Sequence, residues 1–123
     1  MPEEKNLETI PVGPLGIVAM ESCKELGQKV DNYIVEWRKN RTGEHTHTIA
    51  FSGYQKDSYL VKAQVPRFGS GEAKGIINQS VRGDDLYLMV DVGNYSMTYS
   101  LCGYENHMSP DDHYQDLKRI IAA

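Results

Sequence analysis

A chain of 123 residues with 40% apolar and 24% charged side chains has the composition of one globular domain rather than of a disordered chain. Lys plus Arg at 13 against Asp plus Glu at 17 leaves a net charge of −4, which lacks the basic footprint of a nucleic-acid binder and gives no attraction to an anionic membrane. Two cysteines, Cys23 and Cys102, are too few for a disulfide framework and fit a reducing cytoplasm; no apolar run could span a bilayer, and the first eight residues lack a signal-peptide core.

Residues 1–15 carry Pro2, Pro11 and Pro14 and read as an irregular entry arm. The run Ile17-Val18-Ala19-Met20 is wholly apolar, the mark of a strand buried on both faces. A helix is expected next, with Ser22 as cap and Glu25 completing a capping box. Its apolar stripe would be Leu26, Val30, Tyr33, Ile34 and Trp37, and Gly43 would close it. A short strand is possible over residues 48–52. Residues 59–65 are strongly β-prone, Gly69-Ser70-Gly71 interrupts them, and residues 73–78 return as a partner strand, which together predict a hairpin.

Val81-Arg82-Gly83-Asp84-Asp85 predicts a turn, and Leu86-Tyr87-Leu88-Met89-Val90 a second fully apolar strand ending at Asp91. Residues 93–108 read as a long Tyr-rich loop. The last helix opens with Ser109 as cap, Pro110 at the first helical position and Asp112 three residues after the cap. Its stripe would be Tyr114, Leu117, Ile120 and Ile121, and the pattern stops at Ala123 with no closing signal, which predicts a longer parent protein.

Several side chains admit chemistry on type alone. His45 and His47 would share a face of a strand, yet two nitrogens without a third convergent ligand make a poor metal site. His107, Asp111, Asp112 and His113 cluster in sequence, but carboxylates in a first helical turn are explained by the dipole. No metal site is therefore expected. Cys102 has no neighbouring base and reads as inert. Asp91 stands at the end of a buried strand, where α/β sheets place ligands, and could equally cap a loop. Phe68 alone would be a packing residue and Glu72 alone a solvated charge.

Taken in order, Arg67-Phe68-Gly69-Ser70-Gly71-Glu72, then Ser80-Val81-Arg82-Gly83-Asp84-Asp85, then the apolar strand resemble the ribose-phosphate diphosphokinases (phosphoribosyl pyrophosphate synthetases). In that family a Phe-x-x-x-Glu loop on a hairpin precedes a Ser-Val-Arg-Gly-(Glu/Asp)-Asp turn. The helix from Ser22 is similar to the family's first helix, and Asp116-Leu117-Lys118-Arg119-Ile120 to the one preceding its Arg-Gln loop. The resemblance covers residues 16–123 and implies the N-terminal α/β domain of a two-domain enzyme, ending within its last helix. The implied fold is a largely parallel sheet flanked by helices, as in type I phosphoribosyltransferases, with a protruding hairpin.

The implied activity is transfer of the diphosphoryl group of ATP to ribose 5-phosphate, with Mg2+, in a cytoplasmic homo-oligomer. Phe68 matches the aromatic that stacks on adenine and Glu72 the carboxylate that accepts from its amino group. Ser70 stands where the family usually carries Asn, a longer group with more hydrogen-bonding atoms. Arg82 matches a turn arginine with a structural or subunit-contact role. The catalytic Lys and Arg and the diphosphate loop would lie beyond Ala123, so no catalytic residue is expected here and the chain alone is expected to be inactive. Residues 42–58 and 93–108 are longer than the family's connections. Two other functions fit these residues: a non-catalytic regulatory homologue, and an unrelated α/β domain that binds a partner through its Tyr-rich loop.

Overall fold

The computed structural model describes residues 13–40 and 56–123. Along them run β1 (Leu15–Ala19), a 3-10 turn (Glu21–Cys23), α1 (Lys24–Asn40), β2 (Ala63–Gln64), β3 (Ile76–Ile77), β4 (Asp85–Met89), β5 (Thr98–Leu101), β6 (Tyr104–His107) and α2 (Pro110–Ala122). The possible strand at 48–52, His45 and His47, and most of the entry arm and of the 42–58 segment lie outside the described residues.

β1 pairs with β4 in parallel, Ile17 opposite Tyr87. On its other side the Ile17 amide donates to Tyr59 O and the Val61 amide to Ile17 O, a parallel bridge that makes β1 the central strand. That explains why Ile17 and Val18 are almost wholly buried. β4 differs from expectation. Its side chains alternate in burial rather than being buried on both faces: Leu86 and Leu88 pack toward the core and Tyr87 is exposed. Val18, Met20, Val61 and Ile120 form the core, with Val65, Leu86 and Leu88 among the side chains packed against it.

Both helices bury only part of the stripe their apolar spacing marks, Val30 and Ile34 half-buried in the first and Ile120 fully buried in the second, and turn polar residues inward beside it. In α1, Leu26, Tyr33 and Trp37 are exposed, while Gly27 and Asp31 are buried. In α2, Tyr114 and Ile121 are exposed and His113, Asp116 and Ile120 are buried. In each case a polar side chain sits inside because a partner satisfies it there. Asp31 accepts the Tyr59 amide and the Ser58 hydroxyl, and His113 and Asp116 have the partners described below. Ser22 does not cap α1: it lies within the 3-10 turn, and its buried hydroxyl accepts the Asp91 amide at 2.9 Å. α2 starts as predicted. The Ser109 hydroxyl accepts the Asp112 amide and the Asp112 carboxylate accepts the Ser109 amide, a complete capping box with Pro110 behind it.

Residues 93–108 are not a simple loop. Thr98 to Leu101 pair antiparallel with Tyr104 to His107, joined by Cys102 and Gly103, both at positive φ (51° and 82°). A two-residue connection with both residues left-handed matches the twist of a hairpin. Asn94 roots it. Its side-chain Nδ2 donates to Ser22 O at 2.9 Å, its Oδ1 accepts from Ser96, and its backbone carbonyl receives His113 Nε2 at 2.6 Å. No helix among the described residues is long and apolar enough to cross a membrane.

Candidate nucleotide-binding hairpin

β2 and β3 continue outward as a ribbon beyond their two paired residues each. Arg67 bridges Ala73, the Lys74 amide donates to Pro66 O, and the Phe68 amide donates to Glu72 O at 2.8 Å. The ribbon closes where the Gly71 amide donates back to Phe68 O at 2.9 Å and Gly71 takes φ 87°. A turn followed by a left-handed residue is the usual three-residue hairpin loop, and the left-handed position is the one that calls for glycine.

Side chains alternate across such a ribbon, so Phe68 and Glu72 leave one face while Arg67 and Ala73 leave the other. Burial agrees. Ala73 is buried, and the Arg67 side chain is only 15% exposed. Phe68 is 53% exposed and the Glu72 side chain 66%. Ser70 is exposed at the loop, its hydroxyl 3.5 Å from the Glu72 amide. The loop thus brings Phe68 and Glu72 together across its neck, with Ser70 beside them. Glu72 Oε1 also lies 3.6 Å from Arg119 Nη2 on α2, an exposed pair worth about 1 kcal/mol at most.

The inner face is tied down by groups with no motif to announce them. Arg67 donates from Nη1 to Gly71 O at 2.6 Å and from Nη2 to Asp116 Oδ1 at 2.7 Å, and its guanidinium lies 4.6 Å from the centre of the Tyr99 ring. Burial pushes the Asp116 carboxyl above the usual Asp value, and the Arg67 charge pulls it back by less. Gly75, on the return strand, passes so close to α2 that a methyl group there would strike the Arg119 carbonyl. A cavity of about 340 Å3 opens beneath the hairpin, lined by Met20, Ser22, Val65, Arg67, Tyr99 and His113. It sits at the carboxyl ends of β1 and β4, where open α/β sheets receive ligands.

The remaining candidates separate. Asp91 Oδ1 accepts the Gly93 amide at 3.0 Å and so caps a turn. His107 faces outward, with Nδ1 2.9 Å from Tyr95 O and its ring stacked on Tyr95. His113 faces inward; a carbonyl can only accept, so its Nε2 carries the proton toward Asn94 O. Asp112 serves the cap. Among the described residues no three His, Cys, Asp or Glu side chains converge. Cys102 is exposed in its turn, and burial pushes the Cys23 thiol up, away from the reactive range.

A parallel pair with a helix after its first strand, an outward glycine-bearing hairpin and a glycine turn before the second strand form the frame against which known proteins can be compared. A family model, the N-terminal domain of ribose phosphate pyrophosphokinase, matches residues 15–123. The chain belongs to this family. No curated protein and no solved structure matches it. As a pyrophosphokinase N-terminal domain it falls among the kinase-type transferases of nucleotide biosynthesis, and the α/β fold expected from the sequence is the one observed. The match starts at Leu15, the first residue of β1, and runs through both hairpins and α2. Membership also removes the unrelated partner-binding domain as an alternative.

Proposed function

We infer that this chain supplies the adenine-recognising part of a ribose-phosphate diphosphokinase, in which the diphosphoryl group of ATP passes to the 1-hydroxyl of ribose 5-phosphate with release of AMP. The observation that carries this is the paired placement of Phe68 and Glu72 on the outer face of the hairpin neck. A half-exposed phenyl ring offers a face to a purine. An adjacent carboxylate accepts from the exocyclic amine of adenine, where guanine presents a carbonyl oxygen that would repel it. Ser70 beside them adds one hydroxyl at the loop.

Mg2+ would accompany the transferred phosphates. The described residues gather no cluster of three acidic or imidazole ligands, so no step is assigned to a metal held by them. Positioning of ATP is the part of phosphoryl transfer these residues can perform, since the transition state needs aligned oxygens and neutralised charge supplied together. The expected setting is a cytoplasmic homo-oligomer whose hairpins reach toward neighbouring sites.

The test is kinetic, on the full-length protein that carries this chain. Losing a base–aromatic stack costs about 1–3 kcal/mol, so Phe68→Ala should raise the KM for ATP roughly 5- to 150-fold and leave that for ribose 5-phosphate near its original value. Glu72→Gln keeps an acceptor and adds a donor, so it should mainly erode the preference for ATP over GTP. Unchanged ATP kinetics and unchanged nucleotide choice in folded variants would refute the assignment. A folded full-length protein that forms no phosphoribosyl diphosphate would favour the regulatory homologue instead.

A further inference from the structure

Arg67 precedes the candidate adenine platform by one residue, yet its side chain points the opposite way. It reaches three elements. One arm of the guanidinium donates to the Gly71 carbonyl, the other to Asp116 of α2, and its central carbon lies 4.6 Å from the centre of the Tyr99 ring of β5. The Arg67 and Asp116 side chains are 15% and 13% exposed, so the contact is largely shielded from water. An ion pair so shielded is far less screened than one on the surface.

The carbonyl that Arg67 holds belongs to the peptide joining Gly71 to Glu72. Gly71 is the left-handed residue of the loop, the position with the widest backbone freedom. Fixing that peptide plane fixes the direction in which the next α-carbon projects its side chain, which is Glu72. Through the Phe68–Glu72 backbone bond it also sets the spacing across the neck. A planar fork with two separate N–H arms can hold Gly71 O and Asp116 together. A lysine, with one nitrogen on a flexible stem, can satisfy the charge of Asp116 but lacks the planar fork that holds the two acceptors in a fixed mutual orientation.

We propose that Arg67 is a positioning residue for adenine recognition, clamping the Gly71 carbonyl to α2 so that Phe68 and Glu72 stand in binding register before ATP arrives. This rests on the adenine role assigned to Phe68 and Glu72. The loop is ordered when the chain folds, so binding ATP does not have to order it.

Two measurements test it together. The first is amide hydrogen exchange on the 123-residue chain, comparing wild type with Arg67→Lys and Arg67→Met. In Arg67→Lys the Phe68 and Gly71 amides should exchange faster while Ile17 and Val61 keep their protection. A residue that only adds global stability would move all four together, and an unchanged loop would overturn the clamp. The second uses the full-length protein. Arg67→Lys should raise the KM for ATP about tenfold, in line with the cost of small misplacements in bound geometry, with the KM for ribose 5-phosphate little changed. Asp116→Ala should shift it in the same direction. Phe68→Ala is the reference: if it raises the KM for ATP and Arg67→Lys does not, the clamp is wrong and the adenine site stands. If neither does, the adenine site is wrong and the clamp's function falls with it. Should Arg67→Met fail to fold, Arg67→Lys, which keeps a charge beside Asp116, decides the matter.

Discussion

Asp31 of α1 accepts the Tyr59 amide at 2.6 Å on one oxygen and the Ser58 hydroxyl at 2.7 Å on the other. The residue is 2% exposed. The first helix is thereby pinned to the strand segment that flanks β1 on the side away from β4. Asp31→Ala would leave the Tyr59 amide without this acceptor and should cost about 2–4 kcal/mol, since a buried donor stripped of a charged partner keeps its full desolvation penalty. Asp31→Asn, which retains an acceptor oxygen, should cost less. Urea denaturation of the three chains checks this; a loss below about 0.5 kcal/mol in Asp31→Ala, the range of ordinary surface changes, would show that the contact contributes little.

Gly75→Ala should loosen the hairpin from α2. The obstacle is the Arg119 backbone carbonyl, not a side chain that can swing away. Relief therefore requires a backbone shift, with an expected cost of about 1–3 kcal/mol. Gly69 has open space around the same atom, so Gly69→Ala is the matched control, expected to stay within about 0.5 kcal/mol. Equal melting temperatures for the two variants would contradict the close approach at Gly75.

The Asp116 carboxyl should titrate above the ordinary Asp range, because burial outweighs the pull of Arg67. The folded state then binds that proton more tightly than the unfolded state does. The stability linked to it is fully present below the unfolded value and is lost as pH rises through the folded one. Arg67→Met removes the opposing charge, so the titration should move further up and the falling window widen. NMR titration of the Asp116 carboxyl carbon reads both chains; a wild-type midpoint at or below the ordinary Asp value would be the contrary result.

Phe68→Ala should leave the stability of the chain within about 0.5 kcal/mol, as for an exposed residue outside the core. A packing residue of that size would cost about 3–5 kcal/mol. Thermal unfolding separates the two without any nucleotide present.

What the sequence disclosed were features written in adjacent residues. The apolar run at 17–20, the Ser109-Pro110-Asp112 start of α2, the glycine interruption at 69–71 and the 80–85 turn all carry local chemistry, and each appears where it was expected. The buried faces of the helices showed only in part, Ile120 among them, because apolar spacing cannot register an interior Asp31, His113 or Asp116. What allows them inside is a partner far along the chain: 28 positions away for Asp31, 19 for His113 and 49 for Asp116. Ser22 was misjudged for the same reason, its hydroxyl being engaged by Asp91 69 positions on. The β5–β6 hairpin escaped because Cys102-Gly103 is not the Asn-Gly pair that usually marks such a turn. For the candidate site, Phe68, Ser70 and Glu72 were legible as a spacing, whereas the contacts of Arg67 required the fold.

The root of the second hairpin gives the domain a place to vary. Asn94 fastens it to the 3-10 turn after β1 and to α2, and Tyr95 and His107 close over its base, whereas Cys102 and Gly103 at the far end are exposed. Lengthening a loop at such an end adds only a slowly growing closure entropy, and exposed tips are where chains best accept added residues. Relatives could therefore gain or lose segments there while the cavity wall at Tyr99 stays in place, although Leu101, just before the turn, borders Gly71 of the first hairpin loop and limits how far such a change can reach.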